Sequence, residues 1–271
     1  MTHWTTQGPQ RIVCLTEETT ETLYMLGEQD RIVGISGFTV RPPQARKEKP
    51  KVSAFTSAKI EKILELKPDL VLGFSDLQAD MASDLVRAGI QVHIFNQRSV
   101  AGIFDMIAML GAMIGKSDKT ATLIAQLQDG ITGIERSAAA LTRRPRIYFE
   151  EWNEPLISGI GWVSELTEIA GGTDCFPELG KESSAKRRII ADAAEVVNRQ
   201  PDIIIGSWCG KKFQPQSVRA RAGWDVIPAV RNNHLYEIKS CDILQPGPAA
   251  LTDGLNQLHA IVQRWAETSA Q

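Results

Sequence analysis

Catalytic signatures are what this sequence has least of. Histidine occurs four times in 271 residues, at positions 3, 93, 234 and 259, and no two stand at the spacing of a helical zinc pair. There is no His-Glu-x-x-His, no Gly-x-Ser-x-Gly turn and no Gly-x-x-x-x-Gly-Lys-Ser/Thr phosphate loop. Gly34-Ile-Ser-Gly37 lacks the rest of a dinucleotide fingerprint. Glu150 and Glu151 put two carboxylates side by side, but neighbours on a strand point to opposite faces and cannot share a reaction centre. No enzyme, no catalytic residue and no required cofactor are expected. Cysteine occurs at 14, 175, 209 and 241 with no Cys-x-x-Cys pair, so a structural zinc site is not expected and four free thiols are.

Charge of one sign is missing too. Thirty Lys and Arg stand against 32 Asp and Glu, a net charge of -2. No basic excess is available to hold a nucleic-acid backbone by counterion release. No apolar run reaches the 18 or so residues of a membrane helix, so the chain is not expected to insert in a bilayer. Its first residues, Met1 to Gln10, carry neither the basic segment nor the 7–15 apolar residues of a signal peptide. The chain as written is expected in the cytoplasm; a trimmed mature form with an added Met would belong in the periplasm.

What is present is alternation. Arg11–Leu15 and Arg31–Ile35 read as buried strands, separated by a helical segment over Thr16–Gly27 with Leu23 and Leu26 inward. Glu17 and Glu18 suit the positive end of that helix. Lys59–Lys67 reads as a short helix, Leu70–Leu72 as a strand, Ala79–Ala88 as a helix and Ile90–Phe95 as a strand. Strand and helix in turn predict an α/β fold with parallel-rich sheets covered on both faces. After Ser99 the rhythm changes. Val100–Ile114 is helical, and Ala121, Ile124, Leu127, Ile131, Ile134, Ala138 and Leu141 mark one face of a helix over 118–141. So long a helix without a strand reads as a connector. A repeat supports this: Ile60 to Gly73 resembles Ala193 to Gly206, with Pro68-Asp69 matching Pro201-Asp202. Proline ends each helix, and aspartate is expected to bond the turn backbone. The predicted organisation is a lobe over 1–115, an interlobe helix over 116–143 and a second lobe over 144–271.

These residues resemble a known family. Arg11-Ile-Val-Cys-Leu-Thr16, Arg31-Ile-Val-Gly-Ile35, Pro42-Pro43, Lys51-Val52 and Ile60 to Val71 follow the first-lobe pattern of the class III substrate-binding proteins of ABC importers. Gly161-Trp-Val-Ser-Glu-Leu166 with Ala170-Gly-Gly172 is similar to the start of their second lobe. Ile227 to Arg231, His234-Leu-Tyr236 and Pro246-Gly-Pro248 are similar to their closing segment. The likeness covers nearly the whole chain, in order, and is strongest to cobalamin-binding members. It implies two Rossmann-like lobes joined by a single long rigid helix, and a corrinoid gripped, unreacted, in the cleft between them. It also implies an importer permease as partner, and a monomer is expected. The family docks to its permease through one glutamate on each lobe. Glu61 matches the first; the Pro68/Pro201 alignment puts Ala194 at the second, with Glu195 beside it. Ala249 stands where the resembled proteins often place arginine.

Ligands of open α/β sheets bind outside the carboxyl ends of the strands. The candidate ligand residues there are Thr16, Phe38, Phe55, Thr56, Ser57, Trp152, Trp208, Lys211, Phe213, Asp242 and Gln245, with Trp162 nearby in sequence. With only six Trp, three Tyr and eight Phe in the chain, their concentration in these loops suits a large planar ligand, because rings supply apolar area at little entropy cost. Residues matching Phe38 and Phe55 line the ligand cleft in the resembled proteins. Trp208-Cys-Gly-Lys-Lys-Phe213 adds two lysines and a thiol, suited to amide carbonyls, a phosphate or a metal. Arg187 and Arg188, with Arg41, Lys211 and Lys212, read as an anion site. That keeps a ferric siderophore or haem open as ligand on the same fold. A third alternative is an intracellular corrinoid-handling protein not coupled to an importer.

Overall fold

A computed structural model describes residues 8–268; His3 lies outside the described residues. Those up to Gln97, with Ala101–Gln126, form one compact unit. Arg98–Val100, with the residues from Leu127 onward, form another.

The first unit opens with β1 (Ile12–Cys14), α1 (Glu17–Met25), β2 (Ile32–Ser36), α2 (Pro43–Glu48) and β3 (Lys51–Ser53). It continues with α3 (Ile60–Glu65), β4 (Leu70–Phe74), α4 (Ala79–Arg87) and β5 (Val92–Phe95). All five strands run parallel in the order β3-β2-β1-β4-β5. The chain winds outward from β1 on one side and from β4 on the other. The crevice between β1 and β4 is therefore the switch point, where α/β sheets hold ligands. Val13, Leu15, Val52, Ile63, Val71, Met81 and Leu85 form a core against this sheet, as expected of parallel strands covered on both faces.

Two helices follow, α5 (Val100–Met113) and α6 (Ser117–Ala139). The hydroxyl of Thr120 occupies the space a side chain at Gly111 would need, so only glycine permits the approach of the two helices. The helix predicted over 118–141 is α6; its residues up to Gln126 group with the first unit and those from Leu127 with the second. Its buried stripe is Leu123, Leu127 and Ile131; Ala121, expected on that stripe, is exposed.

The second unit contains β6 (Arg146–Asn153), β7 (Leu156–Ser158), α7 (Gly161–Ile169), β8 (Thr173–Asp174), α8 (Pro177–Gly180) and α9 (Ala194–Arg199). Then come β9 (Ile203–Gly206), α10 (Pro215–Arg219), α11 (Pro228–Arg231), β10 (Leu235–Glu237), α12 (Ser240–Ile243) and α13 (Leu255–Thr268). Strand β6 is central: β9 runs parallel to it and β10 parallel to β9, while β8 pairs with its first residues. The chain then folds back at Glu154-Pro155, making β7 an antiparallel partner of β6. The rest of the sheet is parallel, so the architecture is the parallel-rich α/β pair of lobes the alternation predicts.

The internal repeat has a structural counterpart. Lys67 and Gln200, just before the two prolines, both take left-handed φ angles, +47° and +46°. The following aspartates bond the start of a neighbouring strand instead of their own turns, which corrects the sequence expectation. Asp69 accepts the N–H groups of Gln10 and Arg11 at 2.7 and 2.9 Å, and its own N–H donates to the Arg11 carbonyl. Asp202 accepts the Arg146 N–H at 2.9 Å and donates to the Arg146 carbonyl. Each Pro-Asp turn thus clasps the start of its unit's central strand. A short side chain directly after a helix stop can reach the next strand when the two strands are neighbours in the sheet.

Candidate functional site

In the first unit the chain just after β1, just after β3 and at the end of β4 meets around a buried amide. Gln78 is fully buried. Its Nε2 donates to the Phe55 carbonyl at 2.8 Å and lies 3.5 Å from that of Leu15, while its Oε1 accepts the Phe74 N–H at 3.0 Å. It ties three strand-end loops together, and no sequence pattern singled it out. Its Oε1 fills the space beside Gly73 where a Cβ would stand.

Among the expected ligand residues of this unit, Phe38 is 68% exposed in the loop after β2. Phe55 is half-buried, and Thr56 and Ser57 are exposed beyond it. Thr16 is buried, and its hydroxyl donates to Glu18 Oε1 at 2.6 Å. Phe38, Val40 and Leu77 are all exposed apolar side chains in the segments after β2 and β4. The carboxyl end of the sheet is therefore apolar where it meets solvent.

Acids dominate the first turn beneath it. Glu17, Glu18 and Glu21 are all buried. Burial pushes Glu17 up to about 7, against the pull of the Val40 and Arg41 N–H groups. Burial likewise takes Glu18 up to about 7, against the Thr16 hydroxyl. Glu21 is matched by Arg41 at 2.9 Å.

In the second unit Glu150 and Glu151 do face opposite ways, and each has its own arginine. Glu150, fully buried, receives Arg221 in a two-pronged pair at 2.6 and 2.8 Å and the Trp208 indole N–H at 3.0 Å. Arg221 also stacks on Trp224, 4.4 Å from its centre. Glu151 receives Arg188 at 2.5 and 2.9 Å, and Arg188 also donates to the Ser158 carbonyl at 2.6 Å. Arg188 is buried while Arg187 is exposed beside Glu182. The pair therefore does not act as one basic cluster: desolvating a guanidinium requires a carboxylate partner, and Arg188 has one.

The Trp208–Phe213 loop is built inward. Both rings are buried in the unit's core and meet edge-on, 5.1 Å apart. Phe213 lies where a side chain at Gly206 would project, and its N–H donates to Glu237 at 2.9 Å. Lys211, between them in sequence, is exposed. Its ammonium stands 5.0 Å from Trp208 and 5.6 Å from Trp152, and donates to Asn153 at 3.1 Å. Trp152 is half-buried. Trp162 is buried, with its indole N–H on the Ile243 carbonyl at 2.9 Å, holding α7 to α12. Asp242 accepts from Gln257 at 3.1 Å, and Gln245 is half-buried. Of the second unit's expected ligand residues, Trp152, Lys211, Asp242 and Gln245 therefore keep accessible surface. Trp162, Trp208 and Phe213 serve the packing beneath.

The cysteines remain free: Cys14 and Cys175 are buried, Cys241 is partly covered and Cys209 is exposed. Glu61 and Glu195 are exposed at the second position of α3 and α9. Counted from the buried residue of each helix, Ile63 and Val196, they stand two and one residues back. One residue turns a helix by about 100°, so the two carboxylates leave their helices in different directions. Glu195 also lies 3.8 Å from Arg199. The cavities of about 550 and 240 Å³ in the first unit are lined by Gly8, Gln10, Arg31 and residues 112–116, and by Met25, Leu26 and residues of α6. No loop residue named above borders them.

The model of the periplasmic binding protein family matches residues 12–241. The chain belongs to that family. Its relatives include an uncharacterized ABC transporter substrate-binding lipoprotein, YvrC, of Bacillus subtilis. The two are 26% identical over 256 residues, covering 92% of this chain and 79% of that protein. The vitamin B12-binding protein of Vibrio parahaemolyticus is 24% identical over 246 residues, 89% of this chain and 86% of that one. Among solved structures, IsdE of S. aureus, complexed with heme, superposes with a TM-score of 0.78 at 22% identity, covering 94% and 99% of the two chains. That last likeness is one of fold. As a periplasmic binding protein the chain is a non-catalytic solute binder, in keeping with the missing catalytic signatures. Among the described residues no helix is long and apolar enough to cross a membrane.

Proposed function

We propose that this protein binds a corrinoid of the cobalamin class and hands it on unchanged, with the strand-end loops carrying the contacts. The observation that carries the reading is the state of the arginines near those loops. Arg41, Arg188 and Arg221 are each paired with a carboxylate of the same unit. A ferric siderophore or a haem with two carboxylates needs cations to receive its charge, and these three are already engaged, which leaves only the exposed Arg187, Lys211 and Lys212 of the expected anion site. Phe38, Phe55, Trp152 and the Lys211 stem offer instead apolar and aromatic area of the kind a neutral macrocycle covers. Thr16, Thr56, Ser57, Asp242 and Gln245 would add polar contacts, and Trp162, Trp208 and Phe213 would hold the loops in shape. Vitamin B12-binding relatives fit this reading.

Titration of the purified chain with cyanocobalamin, followed by absorbance and calorimetry, tests it, with hemin and a ferric catecholate as comparison ligands. Stoichiometric binding of cyanocobalamin alone is the expected result; none at all would overturn the reading. Delivery to an ABC importer through Glu61 and Glu195 is part of the proposal. The different directions of those two side chains favour a second form of it, in which the chain handles corrinoid without an importer. Reconstitution with a candidate permease separates the two: E61K and E195K lower ligand-stimulated ATP hydrolysis only if docking occurs.

A further inference from the structure

The helix that opens the first unit carries two carboxyl groups for which folding alone gives no reason. Glu17 and Glu18 form the first turn of α1, directly after β1 and beside the β1/β4 switch point. Both are buried. One oxygen of each is satisfied: Glu17 Oε2 accepts the Val40 N–H at 2.5 Å, and Glu18 Oε1 accepts the Thr16 hydroxyl at 2.6 Å. The other oxygen of each, Glu17 Oε1 and Glu18 Oε2, is buried with no hydrogen-bond partner. Neither carboxylate forms an ion pair among the described residues, and acidic neighbours act on them, Glu21 on both and Glu18 on Glu17. Thr39, next to the residue that holds Glu17, adds a fully buried hydroxyl oxygen that is also unpartnered.

Magnitudes decide against a purely local explanation. The helix dipole offsets about 0.3–1 kcal/mol for a first-turn acid, whereas burying an ionised carboxylate costs several kcal/mol. Buried polar atoms are nearly always satisfied in folded proteins. Here three unsatisfied oxygens sit on two segments that hydrogen-bond each other, at the crevice where such sheets hold ligands.

We propose that Glu17 and Glu18, with Thr39, form an acceptor site for the N–H groups of a ligand's primary amides. The inference rests on the corrinoid reading, whose ligand class is rich in peripheral primary amides, and it says which edge chemistry the first unit recognises. A carboxylate on the ligand in the same place would meet like charge. Glutamine at either position would present an amide where the ligand needs an acceptor.

The test pairs a change on the protein with a change on the ligand. Wild type, E17Q and E18Q are titrated by calorimetry at pH 8 with cyanocobalamin and with its monocarboxylic acids, each having one peripheral amide hydrolysed. A hydrogen bond to a charged group corresponds to about 10- to 100-fold in affinity. Each Gln variant should lose about that much for cyanocobalamin, while folding normally by thermal melting. Wild type should bind at least one monoacid tenfold or more weakly than the amide, and the variants should narrow that gap. Equal cyanocobalamin affinity in wild type and both variants overturns the site and leaves the corrinoid reading standing. A loss of equal size for amide and acid ligands marks a structural effect and also overturns the site. No cyanocobalamin binding by wild type overturns both.

Discussion

Replacing Glu18 with glutamine should make the protein more stable, by an amount that grows as pH rises from about 4.5 to about 7 and then levels off. The carboxyl is 1% exposed and burial lifts it from 4.5 to about 7. A raised carboxyl pKa means the folded state holds its proton more tightly than the unfolded chain. The stability this gives is fully present below pH 4.5 and is lost as pH rises through about 7. At 1.36 kcal/mol per pH unit, the penalty of charging Glu18 reaches about 3 kcal/mol at pH 8 and is about 1 kcal/mol at pH 5. Glutamine keeps the shape and the acceptor for the Thr16 hydroxyl but never ionises. E18Q should therefore gain about 2–3 kcal/mol at pH 8, seen as a rise of roughly 4–12 °C in melting temperature for a unit of this size. Most of the gain should vanish at pH 5. Circular dichroism melts of both proteins across that range give the answer. A variant less stable than wild type at pH 8, or a gain that does not change with pH, would refute the reasoning. The favourable outcome would also mark Glu18 as a residue kept for binding at the expense of stability.

Three further outcomes follow from the second unit and the thiols. R221M leaves Glu150 charged and fully buried, so it should lose about 3–5 kcal/mol by denaturant unfolding, and adding E150Q should recover more than half. G206A drives a methyl into the Phe213 ring and should lower the denaturation midpoint by the equivalent of about 1–3 kcal/mol, most of it regained in G206A/F213L. A thiol reagent at pH 8 should modify Cys209 first in the native protein. Cys14 and Cys175, pushed up to about 12 by burial, should stay silent until denaturant is added; early reaction at Cys14 would contradict the buried β1.

Much of the fold was legible because it is local. Ile12–Cys14, Leu70–Phe74 and Ile203–Gly206 are short apolar runs bounded by helix stops, and parallel strands buried on both faces read that way in any sequence. The α6 stripe was legible to within a turn. The hairpin at Glu154-Pro155 was not, because its strand β7 is three residues long and carries no periodicity. The site was legible in its loops and not in its pairings. Arg221 reaches Glu150 across 71 residues and Arg188 reaches Glu151 across 37, distances at which sequence shows charges but not partners. Trp208 and Phe213 were found as loop aromatics, but which way a ring turns depends on the space left by Gly206 and on the carboxylate of Glu150. The sequence placed Glu17 and Glu18 at the positive end of a helix but carried no sign of their burial, which depends on packing such as that of Val40, whose N–H reaches Glu17.

The Pro-Asp clasp has a consequence for how the chain assembles. Asp69 and Asp202 make the same bonds to the backbone of Arg11 and Arg146, and backbone atoms cannot tell one half of a chain from the other. The arginine side chains differ in their answer. Arg11 bonds the carbonyls of Leu66 and Lys67 at 2.6–3.1 Å, while Arg146 turns back on Asp202 at 3.4 Å. Since the backbone bonds at Arg11 and Arg146 are the same, it is these side-chain bonds that make each clasp particular to its own unit.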